Sequence, residues 1–210
     1  IPSLSGIWIS VESDRFRKGK LNMKVNAKKI AGVGLLTALV VVLQLLGSFI
    51  KFGTVSISLV LVPIVVGAAL YGVGAGAWLG GVFSVVVLCQ PDTALFLNMS
   101  IFGTILTVML KGILAGALSG LVYRVLSKKH KYAGVVCAAV VCPVVNTGIF
   151  LLGCRLFFFD WILQNAGGAN AFIFMITGFV GLNFVVELAV NVVLSPVIVR
   201  LVNISKKQLS

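Results

Sequence analysis

Acidic residues and histidine are scarce in this chain. Its 210 residues include five Asp and Glu residues and one histidine, and 10% of its residues are charged. So few acids, with a single histidine, argue against a two-carboxylate or histidine-based catalytic site and against a metal centre. The sequence also lacks a Walker-type phosphate-binding loop, so the chain cannot itself couple ATP hydrolysis to movement. We therefore expect no enzymatic activity, no cofactor and no metal ion.

Apolar residues, by contrast, make up 60% of the chain. A soluble globular domain normally has about 25% charged residues, so a chain this apolar requires lipid as its solvent. A helix needs about 20 mostly apolar residues to cross a membrane. We predict an all-α integral membrane bundle of six transmembrane helices, at about residues 30–50, 55–71, 73–90, 100–126, 133–158 and 172–202.

Positive charge is concentrated in three short stretches that flank these apolar segments. Lys and Arg cluster in residues 15–29, 124–131 and 200–207 of a chain whose formal net charge is +12. Cytoplasmic loops carry an excess of such residues, so six spans place both the N-terminus and the C-terminus in the cytoplasm. This placement also argues against a nucleic-acid partner. The sparsely charged turns, including the one at Pro91 and Asp92, then face outward.

The N-terminal stretch differs in composition from the rest of the chain. Met23 precedes a short basic stretch and the first apolar segment. We predict that residues 1–22 are a leader segment outside the fold. Residues 23–210 are then expected to form a single six-helix membrane domain.

Polar side chains inside the predicted helices point to a binding site. Ionisable groups in a membrane helix cost about 2.5–3.5 kcal/mol each, and they mark functional sites by default. Three such groups are present, and asparagines accompany them, one of them four residues before Glu187 and hence on the same helix face. We predict a substrate-binding site that opens outward, formed by Lys111, Asn146, Arg155, Asn183, Glu187, Asn98 and Trp161.

Other interpretations of these residues remain open. Lys111 and Glu187 could instead form a buried ion pair that holds two helices together. Arg155 could extend to the lipid headgroups, and Trp161 lies where an aromatic belt is expected. Asn146 follows Pro143, and we expect it to interrupt the fifth helix.

Small residues recur every four positions in three of the predicted helices. This spacing puts them on one helix face, where two backbones can approach closely in a membrane. We expect two glycine rows to pack helices within the chain, Gly72-Gly76-Gly80 and Gly112-Gly116-Gly120. The first helix has a small-residue face that could pack within the chain or dock another protein, formed by Ala31, Gly34 and Ala38.

Two runs of the sequence resemble a known family. They are residues 28–39, KKIAGVGLLTAL, and residues 55–77, VSISLVLVPIVVGAALYGVGAGA. From residue 24 to residue 205 the chain resembles the substrate-binding S components of energy-coupling factor (ECF) vitamin transporters. The resemblance implies six helices and a high-affinity site built from the last three helices and the outer loops. It also implies that the loop Gly47–Thr54 gates this site.

The same resemblance implies partners and a location. Such an S component captures a vitamin or a similar micronutrient, and works with a transmembrane coupling protein and two cytoplasmic ATPase subunits in a bacterial plasma membrane. Family members dock through an Ala-x-x-x-Ala face on the first helix, for which Gly34-x-x-x-Ala38 is the nearest match. Ala31 lies one turn earlier, as the second alanine of Ala27-x-x-x-Ala31.

The identity of the substrate is less constrained than its class. A carboxylate that also carries hydroxyl and amide groups would suit Lys111, Arg155, Asn146 and Asn183. These groups favour pantothenate, although folate and other vitamins would suit parts of the same set. The alternatives to a capture subunit are a helical channel or accessory subunit and a stand-alone secondary transporter.

Overall fold

The computed structural model describes residues 27–47, 51–52, 55–56, 59–165, 170, 173 and 181–209, which are almost entirely helical. The predicted leader, residues 1–22, lies outside the described residues. Two short strands pair antiparallel, with Lys51 opposite Ser56. In chain order the elements are α1 (Ala27–Gly47), β1 (Lys51–Phe52), β2 (Val55–Ser56), α2 (Leu61–Tyr71), α3 (Val73–Leu88), α4 (Pro91–Met99), α5 (Ile101–Leu126), α6 (Lys131–Phe157), α7 (Phe159–Asn165) and α8 (Gly181–Leu209).

Four helices are long and apolar enough to cross a membrane. They are α1, α5, α6 and the part Phe184–Ser205 of α8. Helices α3 and α4 pass the same test together but are bent by 82° at the break between them, so they add a fifth span if the pair counts as one. The prediction of a helical membrane bundle is confirmed, whereas six spans are not.

The second predicted span explains the difference. Its apolar run, residues 55–71, contains strand β2, a turn and the 11-residue helix α2. At 1.5 Å per residue, α2 is about 16 Å long, which is shorter than a hydrocarbon core of about 30 Å. Apolarity was sufficient for a span there, but helix length was not.

Two sharp turns separate the short helices. Gly72 joins α2 to α3 with a φ angle of 94°, a left-handed conformation that glycine adopts without the penalty of a Cβ atom. Gln90 is extended, and Pro91 then begins α4 at a position where its missing N–H is not needed. The Thr93 hydroxyl donates a hydrogen bond of 2.7 Å to the Val87 carbonyl and closes this second turn.

The glycine rows pack helices within the chain, as predicted, and the helices are α3 and α5; of the glycines in the two rows, Gly72 alone meets no described atom within 4 Å. A Cβ atom at Gly76 would collide with the Gly116 carbonyl oxygen, and one at Gly80 would collide with the Gly112 carbonyl oxygen. The contact also includes a hydrogen bond of 2.7 Å from the Ser84 hydroxyl to the carbonyl of Val108. Small residues at intervals of four therefore bring the two backbones into direct contact.

Helix α6 continues without interruption through Pro143. The predicted break at Asn146 was wrong, because proline removes a single N–H from the helix and neighbouring membrane helices support the gap. Across the α5–α6 interface, the Ser119 hydroxyl donates a hydrogen bond of 3.1 Å to the Ala138 carbonyl.

We predict that Ser119→Ala lowers the stability of the bundle by about 0.6 kcal/mol, the average for hydrogen bonds between membrane helices. The thermal unfolding midpoint in detergent measures the loss. Ser195→Ala is the matched control, because the buried Ser195 hydroxyl bonds within its own helix, to Val192. Equal midpoints for the two variants would show that the Ser119 bond does not stabilise the α5–α6 contact.

Candidate functional site

A cavity of about 160 Å³ lies between the α3–α4 turn and helices α5 and α6. Its polar wall consists of Gln90, Asp92, Thr93, Thr104, Thr107 and Lys111. Its apolar wall consists of Val87, Phe96, Val108, Phe150 and Phe158. The cavity therefore combines one cation, several hydroxyl groups and aromatic surface in a single space.

Lys111 is the cation of this cavity. It lies ten residues after the start of α5, about 15 Å along the helix. Its Nζ atom is 5.1 Å from the ring centroid of Phe150 and 5.9 Å from that of Phe83, within the range of cation–π attraction. The side chain keeps part of its surface accessible because it lines the cavity. The ammonium group is thus held between two rings and is open to a ligand.

Edge-to-face aromatic contacts build the apolar wall. The Phe96 ring lies 5.7 Å from the Phe150 ring and 5.3 Å from the Phe158 ring, with interplanar angles of 78° and 67°. Such pairs add about 0.5–1.5 kcal/mol beyond the burial of their area. They join α4 to the C-terminal half of α6 and place low-polarity groups around Lys111, which strengthens any charge–charge interaction there.

Thr107 presents an unsatisfied hydroxyl in the same wall. Its Oγ1 atom is buried and has no hydrogen-bond partner among the described residues. The close approach of α6 causes this burial, because a Cβ atom at Gly153 would collide with the Thr107 side chain. A buried hydroxyl without a partner costs about 1–3 kcal/mol. A ligand that reached this group would recover that cost.

The α3–α4 turn is tied to α1 through two glutamines. The Gln44 Nε2 atom donates a hydrogen bond of 3.1 Å to the Gln90 Oε1 atom, and the Gln90 Nε2 atom donates one of 3.1 Å to the Gln44 carbonyl. Gln90 also lines the cavity. These two bonds position the turn, and hence the cavity wall, against the C-terminal half of α1.

Lys111 is the predicted site residue that the structure places in the cavity wall. Asn146 is buried in α6, with no hydrogen-bond partner for its Oδ1 atom among the described residues. Arg155 is exposed, and its guanidinium carbon lies 3.9 Å from the ring centroid of Phe159. Trp161 packs on the cluster around Phe158, and Asn98 is exposed on α4. These four residues are not among those that line the cavity.

Glu187 lies on helix α8. It is buried, and its negative charge acts on the Lys111 ammonium. Asn191, one turn further along α8, donates a hydrogen bond of 2.8 Å from Nδ2 to the Glu187 carbonyl. The predicted polar row of α8 therefore faces the interior at these two positions. Asn183 belongs to the same helix, but its side chain lies outside the described part of the chain.

The predicted docking face is open on the surface of α1. Ala31, Gly34 and Ala38 are exposed. A Cβ atom at Gly34 would meet no described atom within 4 Å, whereas one at Gly32 would collide with the ring of Tyr71. Gly32 therefore packs α1 within the chain, and the face that contains Gly34 remains available.

The family described as "ECF transporter, substrate-specific component" matches residues 28–199. The chain belongs to this family. The matched range begins in α1 and ends in α8, so it contains both the cavity and the open face of α1. No curated relative and no solved structure matches the chain.

Membership of this family defines the class of this S component. It is a multi-pass membrane transport protein, and its family consists of substrate-binding subunits and not of enzymes. ECF S components bind small-molecule substrates and work with a membrane coupling protein and ATPases. The cavity around Lys111 brings a charged, a polar and an aromatic wall together.

Sequence reasoning missed most of the cavity wall. Gln90, Asp92, Thr93 and Phe96 lie at the turn around Pro91, which is predicted from the sequence to face outward but not to form a wall of the site. Polar residues between two apolar segments were the available signal. What could not be read from the sequence was the 82° bend that folds this turn over α5.

Proposed function

We propose that this S component captures a compact carboxylate-bearing vitamin in the cavity, with pantothenate as the first candidate. The observation that supports this proposal is the Lys111 ammonium in an aromatic wall. An ammonium within a membrane helix costs about 2.5–3.5 kcal/mol, and a carboxylate ligand would offset this cost by a charge-assisted hydrogen bond. Such a pair is strengthened by the low polarity of the surrounding rings.

The size and the polar groups of the cavity support a compact ligand. Its volume of about 160 Å³ is below the roughly 300–1,000 Å³ of pockets that enclose drug-sized molecules. This favours pantothenate over the larger folate. The Thr107 hydroxyl, the Gln90 amide and the Asp92 carboxylate can bond the hydroxyl and amide groups of such a ligand.

We propose that the Glu187 carboxylate stabilises the Lys111 ammonium when the cavity is empty, because the two groups interact electrostatically. A ligand carboxylate would then share Lys111 with Glu187. Asn146 contributes an unsatisfied carbonyl oxygen in the interior. The binding roles predicted for Asn98, Arg155, Trp161 and Asn183 stay predictions.

We propose that both termini lie in the cytoplasm of a bacterial cell and that the chain crosses its plasma membrane six times. The basic residues at the start of α1, at the α5–α6 turn and at the end of α8 support one cytoplasmic side. Helix α1 then ends outside and α5 begins outside. Between α1 and α5, helix α2 then runs to the cytoplasmic side and α3 returns to the outer side, although α2 alone is shorter than the membrane core.

We further propose that the face formed by Ala31, Gly34 and Ala38 docks the coupling protein, which is driven by two cytoplasmic ATPase subunits. Its exposure and its small side chains support this role, because small residues let helices approach closely in lipid. Delivery of the substrate would follow from ATP hydrolysis in the partners.

Ala38→Leu is expected to block assembly with the coupling protein while leaving ligand affinity unchanged. The added side chain occupies the docking face, and the cavity lies on other helices. Co-purification with a tagged coupling protein and calorimetry of the isolated variant measure the two effects. Gly148→Leu is the control, since a Cβ at that position of α6 also meets no described atom within 4 Å. Normal assembly of Ala38→Leu would exclude this face as the docking site.

Transport itself tests the proposed function. Proteoliposomes that contain this chain, its coupling protein and the two ATPases are expected to accumulate labelled pantothenate only when ATP is supplied to the ATPase side. Uptake by this chain alone, driven by a proton or sodium gradient, would instead support a secondary transporter. Passive flux without accumulation would support a channel.

A further inference from the structure

An apolar groove of about 510 Å³ runs between α1 and α3, away from the cavity. Its lining on α1 begins with Lys29 and continues through Val33, Gly34 and Thr37, and α3 contributes Ala75 and Trp78. We propose that this groove holds one anionic phospholipid, with its phosphate at Lys29 and an acyl chain along the apolar part.

The length of the groove matches one leaflet of a bilayer. A second apolar cavity, of about 660 Å³, shares Trp78 with the first and includes Val41 of α1. From Lys29 to Val41 the helix rises about 18 Å. Half of a hydrocarbon core of about 30 Å is about 15 Å. A chain that starts at a headgroup beside Lys29 would therefore reach the middle of the membrane within these two spaces.

Missing side chains create this space. A Cβ atom at Gly34 or at Gly74 would meet no described atom within 4 Å, in contrast to Gly76 and Gly80, which pack against α5. Glycine is less favourable than alanine within a helix, and no contact in the described chain requires it at Gly34 or Gly74. The two glycines instead leave room beside the indole ring of Trp78.

Trp78 is fixed at the centre of the groove. Its side chain is 60% exposed, and its Nε1 atom donates a hydrogen bond of 3.2 Å to the Thr37 hydroxyl across the two helices. The polar edge of the indole is thereby satisfied within the chain. The rest of the ring forms an apolar surface for a flexible chain.

The charge at one end distinguishes a lipid from a protein helix. An ammonium group at the end of an apolar groove suits a phosphate, and basic sites between helices on the cytoplasmic side attract anionic headgroups. A helix of a partner protein is about 10–12 Å wide with its side chains, so it is a much thicker occupant than a single acyl chain. Of the proposed docking face, Gly34 lines the edge of this groove, whereas Ala31 and Ala38 do not. The choice of the cytoplasmic leaflet rests on the proposed orientation of the chain, but ligand capture in the cavity is not involved.

Native mass spectrometry of the full-length protein tests the proposal. The purified chain is exchanged into detergent with phosphatidylglycerol or with phosphatidylcholine, and the retained lipid per protein is measured. We expect one phosphatidylglycerol to be retained in preference to phosphatidylcholine. Lys29→Gln should lower this retention roughly fivefold, the effect of one basic residue near an anionic lipid. Lys128→Gln, at an exposed lysine outside the groove, should leave it unchanged.

A filling variant provides a second, independent test. Gly74→Leu, outside the proposed docking face, adds a side chain in the open space of the second cavity beside Trp78, so the fold should persist while phosphatidylglycerol is lost. Equal retention of both lipids, or no effect of Lys29→Gln, would show adventitious annular lipid only and would overturn the proposal. If Gly74→Leu keeps the lipid but blocks co-purification of the coupling protein, these spaces belong to that protein and the proposal is overturned. Calorimetry with pantothenate should be the same for Lys29→Gln and the unaltered chain, so failure here is distinct from failure of the proposed function.

Discussion

Lys111→Met is expected to weaken binding of the carboxylate ligand by about 100-fold or more. Methionine keeps the length and the apolar stem of the side chain but removes the ammonium group. Loss of one partner of a buried, hydrogen-bonded charge pair costs about 2–5 kcal/mol. Isothermal titration calorimetry of the detergent-purified chain measures the change. Lys128→Met, in the exposed α5–α6 turn, is the matched control and should bind normally.

The same variant separates a ligand site from a structural ion pair. If Lys111 served only to neutralise Glu187, Lys111→Met would lower the thermal unfolding midpoint, because a buried charge would remain without its partner. Glu187→Gln would then lower it as well. If Lys111 binds the ligand, the double variant Lys111→Met, Glu187→Gln should unfold at a higher temperature than Lys111→Met alone, because no buried charge is left without a partner. Its affinity for the carboxylate ligand should stay as low as that of Lys111→Met. Normal ligand affinity in a folded Lys111→Met protein would contradict that account.

Gly112→Ala is expected to destabilise the bundle more than any other single methyl addition proposed for this chain. The added methyl group would collide with the Gly80 carbonyl oxygen and the Ser84 hydroxyl. A backbone carbonyl cannot rotate away as a flexible side chain can, so α3 and α5 must separate. Overpacking costs about 1–3 kcal/mol, which corresponds to a midpoint lower by roughly 2–12 °C for a chain of this length.

The control for this prediction is another glycine within a membrane helix. Gly148→Ala adds the same methyl group to α6, where no described atom lies within 4 Å. Its midpoint should be unchanged or higher, because alanine favours the helix. Thermal unfolding followed by tryptophan fluorescence compares the two variants. Equal midpoints would mean that the α3–α5 contact tolerates separation and that the glycine rows do not determine it.

The helix packing could be predicted from sequence where its cause is local. The interval of four between Gly76 and Gly80, and between Gly112 and Gly116, sets the side of each helix that can approach a neighbour. Close contact of α3 with α5 follows directly from that interval. Lys111 was recognisable for a similar reason, since an ammonium group in an apolar helix must have a partner or a ligand.

The remainder of the site depends on geometry that hydropathy does not encode. Asn146 and Arg155 belong to the same helix as Phe150. Every face of that helix, α6, is largely apolar. The sequence therefore does not indicate which of its faces turns toward Lys111. The bend between α3 and α4 at Pro91 places Gln90 and Phe96 in the cavity wall and leaves Asn98 outside it.

The sixth predicted span is not confirmed for a related reason. Residues 55–71 are continuously apolar, and apolarity alone predicts a crossing helix. The helix begins only at Leu61, after strand β2 and a turn, so the run is divided between two kinds of backbone. Hydropathy measures the preference for lipid, whereas the number of residues in one helix determines whether it crosses.

The most direct test of the account is a binding screen of the detergent-purified chain. Calorimetry against B vitamins and related carboxylates is combined with mass spectrometry of any molecule that co-purifies. The account predicts one compact carboxylate, with pantothenate first, bound at one molecule per chain and lost in Lys111→Met. If no compact carboxylate binds or co-purifies, or if the bound ligand is retained fully by Lys111→Met, the cavity around Lys111 is not the capture site.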